Sequence, residues 1–183
     1  MSYRASLIRP LDESSLDAFG AYLEDHMRDN GRGGMPLFQP HAQGRVWSAE
    51  KIAAFQAGMA TPVGEAGWRR GWLAYDAAGA ISGHVDLRAH PEICTSHRAL
   101  LGMGVHRDHR RRGLGGVLLV HAMSWARAGT MLEWIDLHYL AGNMAAERLY
   151  GGHGFQRIGV TDDMFRVYGQ SVGDVAMTLR LRP

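Results

Sequence analysis

The stretch HRDHRRRGLGG, residues 106–116, places basic side chains directly beside glycines. It holds two histidines, four arginines and one aspartate, followed by three glycines within four positions. Arginine donates charge-assisted hydrogen bonds that suit phosphate oxygens, and glycine lets a ligand approach the backbone because it has no Cβ atom. We therefore expect this segment to bind a phosphorylated ligand.

The position of these residues favours a pyrophosphate. They lie between a predicted strand, residues 99–106, and a predicted helix that begins near Leu114. The first N–H groups of a helix have no partner within it, so they form an anion site. Three arginines and three glycines surround that site: Arg110, Arg111, Arg112, Gly113, Gly115 and Gly116. This cradle is larger than a single phosphate requires.

Two other classes of phosphate-binding protein are not expected. A Walker loop needs the sequence Gly-Lys-Ser/Thr, and the one lysine of the chain is Lys51. A dinucleotide fingerprint needs a third glycine at position 118, where this chain has Leu118. The segment therefore predicts neither a nucleotide triphosphatase nor a dinucleotide-binding domain.

Two segments of the chain resemble the motifs of a known family. Residues 105–115, VHRDHRRRGLG, resemble the acyl-CoA signature of the GNAT superfamily of N-acetyltransferases, a strand valine followed by R-x-x-G-x-G. Residues 143–155, NMAAERLYGGHGF, are similar to its second motif, N-x-x-A-x-x-L-Y-x-x-x-G-F. The chain departs from the family at Arg107, often a proline, at His109, often aromatic, and at Gly151, usually acidic.

The resemblance implies acetyl-CoA as cosubstrate and an amine as acceptor, a small molecule or a peptide amino terminus. It assigns the pyrophosphate to the amides of residues 111–116, Leu114 included, and the pantetheine to the strand backbone at Met103 and Val105. The strands before the cradle and before Asn143 would splay apart to open a slot for the thioester. The resemblance also makes a homodimer an expectation, because dimers are frequent in the family.

The same resemblance assigns two roles in the second motif. Asn143 would contact the pantetheine arm or a neighbouring backbone. Tyr150 would act as the general acid that protonates the leaving thiolate, since a phenol has an ordinary pKa of about 10. The family's acceptors enter beside the first two helices and the last hairpin, which here means residues 27–47 and 161–173.

The general base has several candidates among the histidines. Imidazole titrates near neutral pH and accepts a proton directly or through water. His138 shares a predicted strand face with Asp136. His106 ends the preceding strand, and His84 and Asp86 lie on the next strand over. We favour His138 as the catalytic base, and a reaction without a dedicated base stays open. Because the histidines lack the spacing of a motif such as H-E-x-x-H, no metal is expected.

Hydrophobic periodicity predicts the elements that must position these residues. Their order, β-α-α-β-β-β-α-β-α-β-β, indicates an α/β (α+β) fold with a mixed, mostly antiparallel seven-stranded sheet and about four helices. Asp12 and Ser48 are predicted to cap the first two helices. The strands are predicted at residues 3–9, 68–75, 80–88, 99–106, 132–140, 155–160 and 175–181.

Composition limits the remaining classes of function. With 183 residues, 46% of them hydrophobic and 21% charged, the chain predicts one globular domain over residues 1–183. A net charge of +2 argues for neither nucleic acid nor membrane as partner. The single cysteine, Cys94, and the lack of a long apolar stretch predict a cytoplasmic protein. The preference for arginine over lysine is typical of a GC-rich, bacterial-like genome.

Two alternative functions stay open. A non-catalytic acyl-CoA-binding or sensing domain would keep the cradle without turnover, although the presence of Tyr150 and Asn143 counts against it. A nucleic-acid-binding module would use the arginine run as a basic patch. Such a patch recurs along a face with interleaved aromatic residues, whereas this charge is concentrated at one glycine-rich turn.

Overall fold

The computed structural model describes residues 7–33, 35–41 and 47–182, which form seven strands and four α-helices. The strands are β1 Leu7–Pro10, β2 Arg69–Tyr75, β3 Ile81–Arg88, β4 Arg98–Val105, β5 Trp134–Leu140, β6 Gln156–Val167 and β7 Gln170–Arg180. The helices are α1 Leu16–Met27, α2 Ala49–Ala60, α3 Leu114–Gly129 and α4 Met144–Gly152, with short 3₁₀ turns at Glu13–Ser15 and Arg107–His109.

All seven strands form one sheet in the order β1-β2-β3-β4-β5-β7-β6. Neighbouring strands are antiparallel, with the exception of β4 and β5, which run parallel. A parallel pair needs a crossover connection, and α3 provides it between β4 and β5. The predicted element order and the predicted mixed, mostly antiparallel sheet are confirmed.

Helices cover both faces of the sheet. On one face, α3 and α4 pack over β2 to β5 and β7 around residues such as Leu87, Leu118 and Leu137. On the opposite face, α1 packs over β2 and β3 through a smaller cluster that includes Phe19 and Leu73. None of the helices among the described residues has the length and apolar character that a membrane crossing requires.

The alternation along β5 assigns its residues to the two faces. Ile135, Leu137 and Tyr139 are buried in the core beneath α3 and α4. Because successive side chains of a strand point to opposite faces, Asp136 and His138 lie on the α1 side. This arrangement agrees with the two faces predicted for this strand.

The last two strands are longer than the hydrophobic pattern predicts. Residues 161–173, interpreted as a connection, form the outer half of a β-hairpin in β6 and β7. Tyr168 and Gly169 make its two-residue turn with φ values of 51° and 76°, the left-handed conformation that such turns require. The pattern fails here because almost every residue of β6 is exposed, so no buried face marks it as a strand. Residues 3–6 of the predicted first strand lie outside the described residues.

Candidate functional site

A slot opens between β4 and β5 because the two strands separate partway along their length. They are paired at three positions, from Arg98 with Trp134 to Leu100 with Asp136, and no further pair joins them. Residues 101–105 of β4 therefore lack a strand partner on this side, as the resemblance implies. Apolar side chains of β4, β5 and α4 belong to one cluster at this level: Met103, Val105, Leu137, Tyr139, Leu149 and Tyr150.

The first turn of α3 has free backbone donors. Gly113 is the N-cap residue with φ 87°, and no side chain caps the helix. The N–H of Val117 bonds to the carbonyl of Gly113 at 3.2 Å, so the amides of residues 114–116 have no acceptor within the helix. By contrast, the N-termini of α2 and α4 are capped by the side chains of Ser48 and Asn143. The mouth of α3 is thus built to receive an anion.

The glycines of this turn make room that a side chain would fill. A Cβ atom at Gly115 would lie 3.2 Å from Leu149 Cδ2, and one at Gly116 would lie 3.3 Å from the His153 ring. Gly113, in the left-handed conformation, has open space around it. Gly115 and Gly116 thus allow α3 to pack closely on α4. Gly113 leaves the backbone before α3 uncovered, which fits the diphosphate of an acyl-CoA.

The three arginines of the run differ in their surroundings. Arg111 and Arg112 are exposed beside the turn. Arg110 points back toward α1. Its Nε donates to the Val105 carbonyl of β4 at 3.0 Å, and its guanidinium lies 5.4 Å from the centre of the Phe38 ring. Arg111 and Arg112 are thus the two arginines of the run that are open to solvent beside the amino terminus of α3.

His106 and Arg107, in the turn before the cradle, connect it to α1. Arg107 Nη2 lies 2.7 Å from both carboxylate oxygens of Asp25, and Arg107 Nη1 lies 3.1 Å from Asp29. His106 Nε2 lies 2.8 Å from the same Asp25 carboxylate. Hydrogen bonding by His106 and by Arg107 holds the pKa of Asp25 below its ordinary value. The local motif does not reveal this link, because Asp25 is distant in sequence.

Tyr150 belongs to the apolar cluster at the level of the slot. It is buried, with its ring centre 6.2 Å from that of Tyr139 and 5.7 Å from that of Phe155. Burial raises the pKa of the Tyr150 hydroxyl well above its ordinary value, so the phenol keeps its proton at neutral pH. A protonated phenol is the form that a proton donor needs.

Asn143 contacts backbone, one of the two contacts expected for it. Its side-chain oxygen accepts a hydrogen bond from the Ala146 amide at 3.1 Å and so caps α4. The side chain therefore sets where α4 begins, and with it the position of Tyr150 two turns along the helix.

His138 and Asp136 share a face of the sheet but have different partners. His138 is exposed and its Nδ1 lies 2.6 Å from Asp174 of β7. Asp136 is buried and bonded to Arg98, Thr178 and His90. Burial alone would raise the pKa of Asp136, but hydrogen bonds from Arg98 and Thr178 outweigh this effect and lower it. The structure does not join the two residues as a catalytic pair.

Side chains of β3 lie over two glycines of β4 on the α1 side. A Cβ atom at Gly104 would be 2.7 Å from His84 Cε1 and 2.8 Å from His26 Nε2. One at Gly102 would be 2.7 Å from Asp86 Oδ1. Alternate glycines in a strand are a sequence signal for such close approach, and the sequence analysis did not use it.

The loop after α1 is held in place by Asn30, which the sequence analysis also missed. Its buried side chain accepts from the amides of Phe38 and Gln39 at 2.8 and 3.0 Å and donates to the Gln39 carbonyl at 2.8 Å. These bonds place the Phe38 ring 4.8 Å from His26. The turn of the β6–β7 hairpin reaches the same loop, since Tyr168 lies close to Gly31. Of the predicted wall at 27–47, residues 34 and 42–46 lie outside the described residues.

Among the described residues, no group of three or more His, Cys, Asp or Glu side chains is arranged to hold a metal ion. The polar groups on the α1 side are instead paired with one another. Asp86 binds Arg69 and Arg88, while Asp136 binds Arg98 and His90.

Comparison with known proteins places this architecture among related chains. Residues 39–155 match the model of the acetyltransferase (GNAT) family. An acetyltransferase of the GNAT family from Streptococcus pneumoniae is 22% identical, with a TM-score of 0.79 over 96% of this chain and 99% of that one. No curated protein is similar enough to this chain to count as a match.

Two further solved structures share the fold. The ribosomal-protein-alanine N-acetyltransferase from Brucella melitensis is 19% identical, with a TM-score of 0.77 over 95% of this chain and 99% of that one. A phosphinothricin acetyltransferase from Sinorhizobium meliloti, solved with AcCoA, is 14% identical, with a TM-score of 0.79 over 96% of this chain and 88% of that one. At these identities the likeness concerns the fold alone.

Proposed function

This chain belongs to the acetyltransferase (GNAT) family, and on that premise we propose that it is an N-acetyltransferase using acetyl-CoA and a primary amine. The observation that carries the proposal is the uncapped amino terminus of α3, which opens beside the slot between β4 and β5. We propose residues 1–183 as one such domain. The name of the Brucella structure denotes transfer to nitrogen and supports an amine acceptor.

The residues of the cradle would hold the coenzyme through its diphosphate and its arm. The amides of residues 114–116 would donate to the diphosphate, and the exposed Arg111 and Arg112 would add charge-assisted bonds. The unpaired backbone of β4 near Met103 and Val105 would hydrogen-bond the pantetheine as a further strand does. Arg110 would brace this strand through the Val105 carbonyl.

Acetyl-CoA supplies an acetyl group activated as a thioester. In direct transfer within a ternary complex, the amine nitrogen bonds to the acetyl carbon as the carbon–sulfur bond breaks. Tyr150 would donate its proton to the leaving sulfur, which burial of the neutral phenol supports. The assignment of His138 as the base that accepts the amine proton stays a prediction.

Two measurements test the proposal. Calorimetry should detect acetyl-CoA binding at modest ionic strength, and a panel of amines should include one that releases free thiol. No acetyl-CoA binding would refute the proposed function. Binding without thiol release from any amine, in a panel of small amines and peptide amino termini, would favour the non-catalytic acyl-CoA-binding domain. Oligonucleotide binding that weakens with salt and is unaffected by CoA would favour the nucleic-acid module.

A further inference from the structure

His84 lies directly against the β4 backbone. In the sheet register it is paired with Gly104, which stands between Met103 and Val105. His84 Cε1 and Nδ1 lie 2.7 and 3.2 Å from the position that a Cβ atom at Gly104 would take. The imidazole therefore occupies the α1 side of the same backbone stretch that the proposed function assigns to the pantetheine.

A hydrogen-bonded chain links this imidazole to β4 through Tyr22. The Tyr22 hydroxyl donates to the Gly104 carbonyl at 3.4 Å, and His84 Nδ1 lies 3.2 Å from the Tyr22 oxygen. With the hydroxyl hydrogen directed at the carbonyl, Nδ1 has to be the protonated nitrogen that donates to Tyr22. In a neutral ring the Nε2 nitrogen then carries the lone pair and accepts a proton.

Burial keeps His84 neutral. Tyr22 and His26 face it from α1, with ring centres 5.5 and 6.2 Å away, and Arg110 acts electrostatically on both of these residues. Burial lowers the pKa of His84 to about 4 and raises the pKa of Tyr22 above its ordinary value. The residue as a whole is only partly buried.

From this geometry we propose that His84 Nε2 accepts the proton lost by the attacking amine, and that Tyr22 is a positioning residue that fixes the His84 tautomer. This inference rests on the proposed function. The nitrogen becomes acidic as it forms its bond to the acetyl carbon, so a neutral imidazole suffices as acceptor. The carbon–sulfur bond breaks, Tyr150 protonates the sulfur, His84 passes the amine proton to solvent, and Tyr150 regains a proton from solvent.

His138 also has an orienting partner for its Nδ1, but its surroundings differ from those of His84. Its Nδ1 is directed to Asp174 on β7, and more than half of its side chain is exposed. It also stands on β5 two residues beyond Asp136, the last position paired with β4. His84, by contrast, packs on the strand that would carry the coenzyme.

Nitrogen-15 NMR of the full chain tests the tautomer without any coenzyme. At pH 7 the chemical shifts of His84 should show a protonated Nδ1 and an unprotonated Nε2. In a Tyr22→Phe variant the Nδ1 preference should decrease, because its acceptor is gone. A protonated Nε2 in the wild-type chain would overturn the inference even if the protein is an acetyltransferase.

Kinetics with matched variants tests the role itself. His84→Asn keeps an amide N–H near Nδ1 but has no base, so kcat should fall about 100-fold while acetyl-CoA affinity is unchanged. Tyr22→Phe should show a smaller fall in kcat. His121→Asn removes an imidazole that packs on Trp72 on the opposite face of the sheet, and it should keep wild-type turnover.

The outcomes separate this inference from the proposed function. Wild-type turnover in His84→Asn, or a 100-fold loss in His138→Gln without one in His84→Asn, would overturn the role of His84 and leave the acetyltransferase intact. Failure of the wild-type chain to bind acetyl-CoA would refute the proposed function. The NMR result would still report whether His84 is held with Nε2 free.

Discussion

Arg107 and Asp25 form a bidentate ion pair that joins the turn before α3 to α1. Nη2 of Arg107 lies 2.7 Å from each carboxylate oxygen. The 3₁₀ turn Arg107–His109 leads directly into the glycine-rich mouth of α3. The pair therefore fixes the position of the proposed diphosphate site relative to α1.

Replacing Arg107 by alanine should weaken both the fold and coenzyme binding. Both side chains are about one-third exposed, so we expect a cost of about 1 kcal/mol. That corresponds to a fall in Tm of about 2–4 °C for a chain of this size. Arg107→Lys should recover part of the loss, because one ammonium nitrogen can contact Asp25 but lacks the second nitrogen with which the guanidinium contacts Asp29. Calorimetry should show weaker acetyl-CoA binding, and unchanged Tm and affinity would contradict the structural role.

Gly115→Glu should abolish acetyl-CoA binding. The new carboxylate would stand at the uncapped amides of α3 and repel the diphosphate, while its Cβ would press on Leu149. Gly115→Ala introduces the steric contact without the charge, so it should lose much less affinity. Val120→Glu places the same charge on an exposed position of the same helix and should bind normally. Undiminished affinity in Gly115→Glu, measured by calorimetry, would remove the basis of the site.

Tyr150→Phe should retain acetyl-CoA affinity and lower kcat. The phenyl ring keeps the packing against Tyr139 and Phe155, so the proton donor alone is lost. The measurements are calorimetry and thiol release under saturating acetyl-CoA. Turnover equal to wild type would mean that water protonates the leaving thiolate.

Stability should decrease as the pH falls below about 6.5. Burial is the main cause that lowers the pKa of His26 to about 3 and that of His84 to about 4, against an ordinary value of 6.5. The unfolded chain therefore binds protons that the folded chain does not, and acid favours unfolding. Thermal scans between pH 7 and pH 5 should show the fall in Tm before the carboxylates titrate.

A matched pair of variants assigns this pH dependence. His26→Gln removes one of the two buried imidazoles and should give a shallower fall in Tm between pH 7 and pH 5. His41→Gln changes an exposed side chain and should keep the wild-type slope. Equal slopes in all three proteins would show that His26 is not held neutral by the fold.

Local pattern was sufficient to predict the elements that carry the cradle. The glycine-rich turn lies between β4 and α3, and Ser48 caps α2, because each signal involves residues close in sequence. The exposed outer half of the β6–β7 hairpin lacked such a signal, since neither of its faces is buried along β6.

The partners of the site residues could not be predicted in the same way. The sequence neighbours of Arg110 predict that it binds phosphate, yet its Nε donates to the Val105 carbonyl. Asp136 and His138 share a face as predicted, but β7 and Arg98 supply their partners from elsewhere in the chain. The position of His84 over Gly104 depends on the register between β3 and β4. Hydrophobic alternation leaves a two-residue shift open, because such a shift keeps every side chain on the same face.

Three residue pairs join β4 to β5, so the two halves of the sheet are hydrogen-bonded to each other along a short seam. A molecule that fills the open part of this seam would hydrogen-bond one half and pack against the other. Acetyl-CoA would then act as a folding ligand, stabilising the protein in proportion to the logarithm of its concentration. The lifetime of the protein in a cell would in this way follow the supply of its own cosubstrate.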